Sequence, residues 1–207
     1  EELWLANNDT KEQVRRKLDI PDDKKVILYA PTWRESIDGG KTYSIKPPIH
    51  FDKWQKELEG EYVVLFRAHH QTTKVLGVEY NEFVRNMSDY PAVNDLLIAA
   101  DILITDYSAI AFDYSILCRP IFCYAYDYDR YLMERGTYFS IDKVYPNRSC
   151  RTEESLLQQI KEMDYIKECA NTKQFRDEFV QYGIGATKRC INKVFGEGKN
   201  ENINGYK

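Results

Sequence analysis

Four short stretches of this sequence gather hydroxyl, carboxylate, imidazole and guanidinium groups just where an apolar run ends. They are Thr32-Trp33-Arg34, His69-His70, Thr105-Asp106-Tyr107-Ser108 and Tyr126-Asp127. The third is the most suggestive. "TDYSA" (Thr105 to Ala109) opens a predicted helix, whose first amides lack intrahelical partners and suit a phosphate. Ser108 or Asp106 could equally cap that helix. Asp106 has the same charge sign as a phosphate, so it is better suited to orienting backbone or a neighbouring donor. His69 leaves its strand where an imidazole can donate to a phosphoryl oxygen and stabilise charge on a leaving group. The alternative for His69 is a surface histidine at a strand end.

Arginines surround these points. Arg67 lies two residues before His69, on the same strand face, where it could reach the same ligand or a carboxylate below. Arg34 and Arg135 have the planar fork that suits a pyrophosphate, although solvated arginines are common. Asp113, on the helix that follows the turn, could accept hydrogen bonds from ribose hydroxyls or form an ion pair within the helical layer. There is no G-x-G-x-x-G and no Walker lysine, so neither a dinucleotide fingerprint nor a P-loop is present.

The elements that must hold these groups follow from the apolar pattern. "KKVILYAP", "YVVLFRAHH", "DILIT" and "PIFCYA" are apolar throughout, as in strands covered on both faces. Between them "FDKWQKELEG", "VNDLLIAA" and "SAIAFDYSILC" read as helices. "NDTKEQVRRKLDIP" reads as a helix before the first strand, with Thr10 and Gln13 in capping-box spacing. Three more helices are predicted near 152–163, 172–181 and 186–195. Gly39-Gly40 and Pro47-Pro48 mark a mobile loop, and residues 71–92 show no firm pattern. Alternating strands and helices predict a Rossmann-like α/β domain over 1–195, a parallel sheet with helices on both faces, followed by a disordered tail over 196–207. In such sheets ligands bind beyond the carboxyl ends of the strands, and all four polar stretches fall there.

Composition narrows the function classes. A net charge of −4 over 207 residues, with both signs mixed, excludes a bulk nucleic-acid-binding face. The sixteen tyrosines are spread along the chain, as for amphipathic packing rather than base stacking. Five cysteines without a C-x-x-C pair, and three histidines, spell neither a zinc site nor a disulfide framework and suit a reducing cytoplasm. No apolar run approaches the ~20 residues of a membrane span. The opening "EELWLANND" has neither a signal-peptide pattern nor an initiator Met, which leads us to expect a piece of a longer polypeptide.

The segments "VILYAPTWRES", "FRAHH", "VNDLLIAADILITDYSAIAFDYSILCRPIFCYAYD" and "ERGTYF", in this order, resemble the CDP-glycerol glycerophosphotransferase family. These are the bacterial enzymes of teichoic acid and capsular poly(alditol phosphate) synthesis. The resemblance runs from about residue 8 to 195 and implies the C-terminal, nucleotide-binding half of a two-domain GT-B fold. It implies attack by the terminal hydroxyl of an acceptor polymer on the β-phosphate of a CDP-alcohol, with CMP leaving. The donor would be CDP-glycerol or CDP-ribitol, with no further cofactor and no metal-ligating residues among the candidates. The other partners would be a lipid-linked polymer at the cytoplasmic face of the membrane and the N-terminal domain.

By the same pattern His69 matches the histidine near the pyrophosphate, and Thr105 to Ala109 match the turn over the phosphates. The family's usual Thr-Asp-Tyr-Ser-Ser ends here in Ala109, so a backbone amide must replace one hydroxyl there. "SIDKVYPNRSC" replaces the usual Gly-Pro-containing stretch after "RGxYF", and the family's H-G-T-P histidine has no counterpart in this chain. Two readings from other classes stand beside this one. A GT-B glycosyltransferase or nucleotide-sugar epimerase usually has small glycines at the phosphate turn, where Tyr107-Ser108 is bulkier. A receiver-like binding module needs an acidic pair after its first strand, where Thr32-Trp33-Arg34 stands instead.

Overall fold

The computed structural model describes residues 1–34, 44–46, 48–69, 72, 74–147 and 149–196. The loop glycines, Pro47, His70 and the expected tail from residue 197 onward lie outside the described residues. Seven strands occur among those described: β1 (Lys25–Tyr29), β2 (Ser44–Ile45), β3 (Tyr62–Phe66), β4 (Lys74–Val75), β5 (Val84–Asn86), β6 (Ile102–Thr105) and β7 (Ile121–Cys123). The helices are α1 (Glu2–Leu5), α2 (Asn8–Lys17), α3 (Phe51–Leu58), α4 (Val93–Ala99), α5 (Ile110–Ser115), α6 (Tyr128–Glu134), α7 (Ile141–Val144), α8 (Glu153–Glu162), α9 (Tyr165–Phe179) and α10 (Ala186–Phe195). None of them is long and apolar enough to cross a membrane.

Five strands form one parallel sheet in the order β5-β3-β1-β6-β7, and β2 pairs with β4 apart from it. Strand alternation divides the core in two. Val26, Leu28, Val63, Leu65, Leu103 and Ile121 meet Val14 of α2, Leu96 to Ala99 of α4 and Tyr114 of α5. From the opposite face Ile27, Val64, Phe66, Ile102, Ile104 and Phe122 meet Phe51, Trp54 and Leu58 of α3 and Leu156 and Ile160 of α8. This is the expected doubly covered parallel sheet, and it explains why its inner strands carry no polar face.

Several local expectations are corrected. The sheet has five strands rather than four. β5 leaves no strand signal because Arg85 and Asn86 interrupt its apolar pattern and it pairs only with β3 at the edge. Asn7, not Thr10, caps α2: the Asn7 side chain accepts from the Thr10 amide at 2.9 Å. α5 is shorter than its sequence suggests and gives way to a turn in which Cys118 has φ 51°. Pro120 disfavours helical backbone at the residue before it, which limits the helix there. α9 begins earlier than expected, where the Asp164 side chain accepts from the Lys167 amide at 3.2 Å.

One buried carboxylate ties the amino end of the sheet to α2. Asp101 accepts from Lys11 Nζ at 2.5 Å, from the Arg15 guanidinium and from the Val26 amide at 2.7 Å. Burial pushes this carboxyl up, but the hydrogen bond and charge of Lys11, with Arg15 and Val26, outweigh it and hold the pKa below the usual value. A carboxyl whose folded pKa is depressed stabilises the fold above its unfolded pKa, and that stability fades as pH falls through the folded value. Asp101→Asn should therefore cost about 3–5 kcal/mol at neutral pH. In urea titrations the gap between variant and wild type should narrow below about pH 4. A gap that is constant down to pH 2 would contradict this assignment.

Candidate functional site

Leaving β1 the chain passes to β3 and β5 on one side, and later to β6 and β7 on the other. The order therefore reverses between β1 and β6, and their carboxyl ends flank the crevice where an open α/β sheet binds ligands. Three expected site stretches meet there. Thr105, fully buried at the end of β6, donates its hydroxyl to the Ala30 carbonyl at 2.8 Å and locks the two strand ends together. Asp106 follows, also buried, with one carboxylate oxygen accepting from the Thr32 amide at 2.9 Å, the Thr32 hydroxyl and the Tyr107 amide at 2.7 Å. Its other oxygen accepts from Arg34 Nη2 at 2.9 Å.

Arg34 is the hub of this arrangement. Its fork meets Asp127 through Nε at 2.8 Å and Nη2 at 3.0 Å, and Nη1 donates to the Thr32 carbonyl at 2.7 Å. The guanidinium also lies 5.3 Å from the ring centres of both Tyr107 and Tyr126 and 5.9 Å from that of Tyr131. Tyr107 stacks on Tyr131 with centroids 3.7 Å apart and donates its hydroxyl to Asp127 at 3.0 Å. Burial works to raise the Asp127 carboxyl, but Arg34 and Tyr107 hold it below the usual range. Burial, with Asp127 next, pushes the Tyr107 phenol far up, so it stays protonated as a donor. Tyr126 is pushed up to about 12, again chiefly by burial.

This arithmetic of charge decides what Arg34 can do. One buried guanidinium faces two carboxylates, and the further cation at Asp127, Arg130, is exposed and 3.4 Å away. The cluster has no positive charge left over for an anionic ligand; it is a brace joining the loops after β1, β6 and β7. Arg67 is likewise engaged by the protein, donating to the carbonyls of Met87 at 3.0 Å and Tyr90 at 2.7 Å. Burial lowers its pKa, opposed by Asp89. Asp113 stands exposed on α5, away from the Arg34 cluster's hydrogen bonds.

What the brace presents to the crevice is different. Ser108 is half-buried and Ala109 exposed, and Ala109 has helical backbone (φ −61°, ψ −13°) at the start of α5. The Ser108 hydroxyl accepts from the Ile110 amide at 3.3 Å, a local turn bond rather than a cap by Asp106. α5 has six residues, so its dipole is modest, and the Tyr107, Ile110, Ala111 and Phe112 amides are already taken up by Asp106, Ser108 and Ala109. His69, half-buried beyond β3, lies with its ring centroid 6.3 Å from that of Trp33, and Arg135 at the end of α6 places its guanidinium 5.2 Å from the same indole. Sequence reasoning singles out His69 and Arg135 but gives no role to Trp33, Asp127 or Tyr131. The signal for Trp33 and Asp127 is their place after the first and fourth apolar runs; nothing local marks Tyr131.

The fold is a Rossmann-like α/β domain, with this crevice at the topological switch point of its parallel sheet. The family model of CDP-glycerol:poly(glycerophosphate) glycerophosphotransferases matches residues 2–196, and the chain belongs to that family. A teichoic acid poly(glycerol phosphate) polymerase of Staphylococcus epidermidis is 37% identical over 186 residues, which are 87% of this chain and 26% of the relative. A teichoic acid glycerol-phosphate transferase of Staphylococcus aureus is 38% identical over 169 residues, 79% of this chain and 43% of the relative. The solved structure of the wall teichoic acid polymerase TagF, as its H444N variant soaked with CDPG for 15 minutes, superposes with a TM-score of 0.76 at 33% identity. That match covers 91% of this chain and 47% of the TagF chain. The chain thus spans less than half the length of these relatives.

Proposed function

We propose that this chain is the donor-binding domain of a transferase that moves glycerol phosphate, or a related alditol phosphate, from a CDP-alcohol to a growing teichoic-acid-like polymer, releasing CMP. The observation that supports it best is that His69 and Arg135 meet at Trp33, next to the Arg34–Asp106 pair at the carboxyl edge of the sheet, in a chain belonging to this family. In this reading the amides and hydroxyl of the turn hold the diphosphate. His69 donates to the phosphoryl or leaving-group oxygen, where negative charge grows as the bond to CMP breaks. Arg135 supplies the positive charge that Arg34 cannot. Arg34, Thr105, Asp106 and Tyr107 act through the shape of the crevice. The acceptor hydroxyl and the group that takes its proton come from elsewhere: a polymer chain at the membrane surface and the remaining part of the longer polypeptide.

The chain by itself should bind CDP-glycerol or CDP-ribitol better than UDP-sugars and extend no polymer. Ser108→Ala separates ligand holding from turn building. Loss of a hydrogen bond to a charged phosphate should weaken CDP-glycerol binding by about 1.5–3 kcal/mol. Cytidine, which has no phosphate, should bind the variant as it binds wild type. A purely local turn role would instead lower the unfolding free energy by about 1 kcal/mol and leave affinity unchanged. Calorimetric titration and thermal melts on the same variant measure both. Equal losses for the two ligands, or a preference for UDP-sugars, would overturn the reading.

A further inference from the structure

We infer that Trp33 is a positioning residue that sets His69 and Arg135 as a pair toward the donor diphosphate. The inference rests on the donor-binding reading above and goes beyond it, because it names what orients the imidazole and the guanidinium. Trp33 is held from both sides in the sequence. Thr32 is pinned by its amide and hydroxyl to Asp106, and Arg34 is locked between Asp106 and Asp127. A large aromatic side chain so fixed at the end of β1 would be expected to sink into the core, yet this one stays half-buried at the polar edge. There it touches one candidate group from each side of the crevice: the His69 ring, from the end of β3, at 6.3 Å and tilted by 37°, and the Arg135 guanidinium, from the end of α6, at 5.2 Å.

The physical logic is that of a template. An arginine at an exposed helix end samples many rotamers, and each rotamer frozen on binding costs affinity. The negative face of an indole attracts a guanidinium and narrows that search before the ligand arrives. The same ring restricts the imidazole. The buried Arg34 brace therefore acts on the site indirectly: its rigidity passes through the backbone to Trp33 and from there to the two side chains that meet the phosphates.

The test uses this chain, with CDP-glycerol, CMP and cytidine as probes. Trp33→Ala should weaken CDP-glycerol binding about tenfold, near the upper part of the range for a cation–π contact. Cytidine affinity should stay within about twofold. Trp33→Phe, which keeps an aromatic face, should recover most of the loss, and it covers the case in which the alanine variant is unstable. In an Arg135→Ala background the Trp33→Ala loss should shrink to about twofold or less, because residues that act through one another are not additive. In the ligand-free chain the side-chain proton resonances of Arg135 should lose an indole ring-current shift on Trp33→Ala. Full affinity in Trp33→Ala, failure of phenylalanine to rescue, additive losses or an unchanged Arg135 resonance would each overturn the inference while the donor-binding reading stands. Wild-type chain that binds none of the phosphorylated probes would overturn that reading, and this inference with it.

Discussion

Replacing Asp106 by alanine should lower the unfolding free energy by about 3–5 kcal/mol, the range for breaking a buried ion pair by removing one partner. The carboxylate is 2% exposed and satisfies four donors: the Thr32 amide and hydroxyl, the Tyr107 amide and Arg34 Nη2. Removing it leaves the Thr32 amide without its acceptor and gives Arg34, whose side chain is 12% exposed, a single buried counter-charge in Asp127. Arg34→Met in the same background should add little further loss, since the pair forms one unit. Chemical denaturation of the two single variants and the double variant measures this coupling. Because the brace sets the crevice, Asp106→Asn, which keeps the shape but places a donor or a neutral oxygen against Arg34, should also weaken CDP-glycerol binding even where it folds. An Asp106→Ala protein with wild-type stability and affinity would contradict the brace.

Substituting His69 should have the largest effect on turnover. In a longer polypeptide that carries this domain as its donor half, as proposed above, His69→Ala should lower kcat by about a hundredfold or more, the usual loss for one preorganised donor aimed at developing charge. KM should change much less, because in the proposed role the bond from His69 would strengthen as charge builds on the phosphoryl and leaving-group oxygens and contribute little in the ground state. Single-turnover rates with CDP-glycerol and a defined acceptor would measure it. His69→Gln should recover part of the loss, since its amide can still donate. Arg67→Ala is the internal control. Its guanidinium serves the Met87 and Tyr90 carbonyls, so its removal should act mainly on stability. A kcat unchanged by His69→Ala would return that residue to the surface role.

Much of the architecture is legible in the sequence because it follows from local chemistry repeated along the chain. Apolar runs such as "KKVILYAP" and "DILIT" have no polar face, so they must be strands covered on both sides, and their alternation with helices implies a parallel sheet. Where that signal thins, the pattern no longer decides. Val84–Asn86 has a single inward apolar residue and one neighbouring strand, so it carries no periodicity to recognise. The cap of α2 goes to Asn7 because both Asn and Thr favour the position, and spacing alone does not choose between nearby candidates.

The site divides in the same way. Residue type and place at the strand ends are enough to mark Arg34, His69 and Thr105 to Ser108 as candidates, and residue type alone marks Arg135. Which of them face a ligand and which face each other depends on distances between segments as far apart as Arg34 and Asp127. A guanidinium reads the same in sequence whether it awaits a pyrophosphate or is neutralised by two carboxylates. The strand order, which brings the ends of β1, β6 and β7 side by side, makes Arg34 a brace, while His69 and Arg135 meet at Trp33. The amino-acid sequence by itself determined the chemistry available at the carboxyl edge. Only the tertiary structure decided how it is shared between building that edge and binding there, because each polar group is committed by the neighbour that folding brings within hydrogen-bond reach.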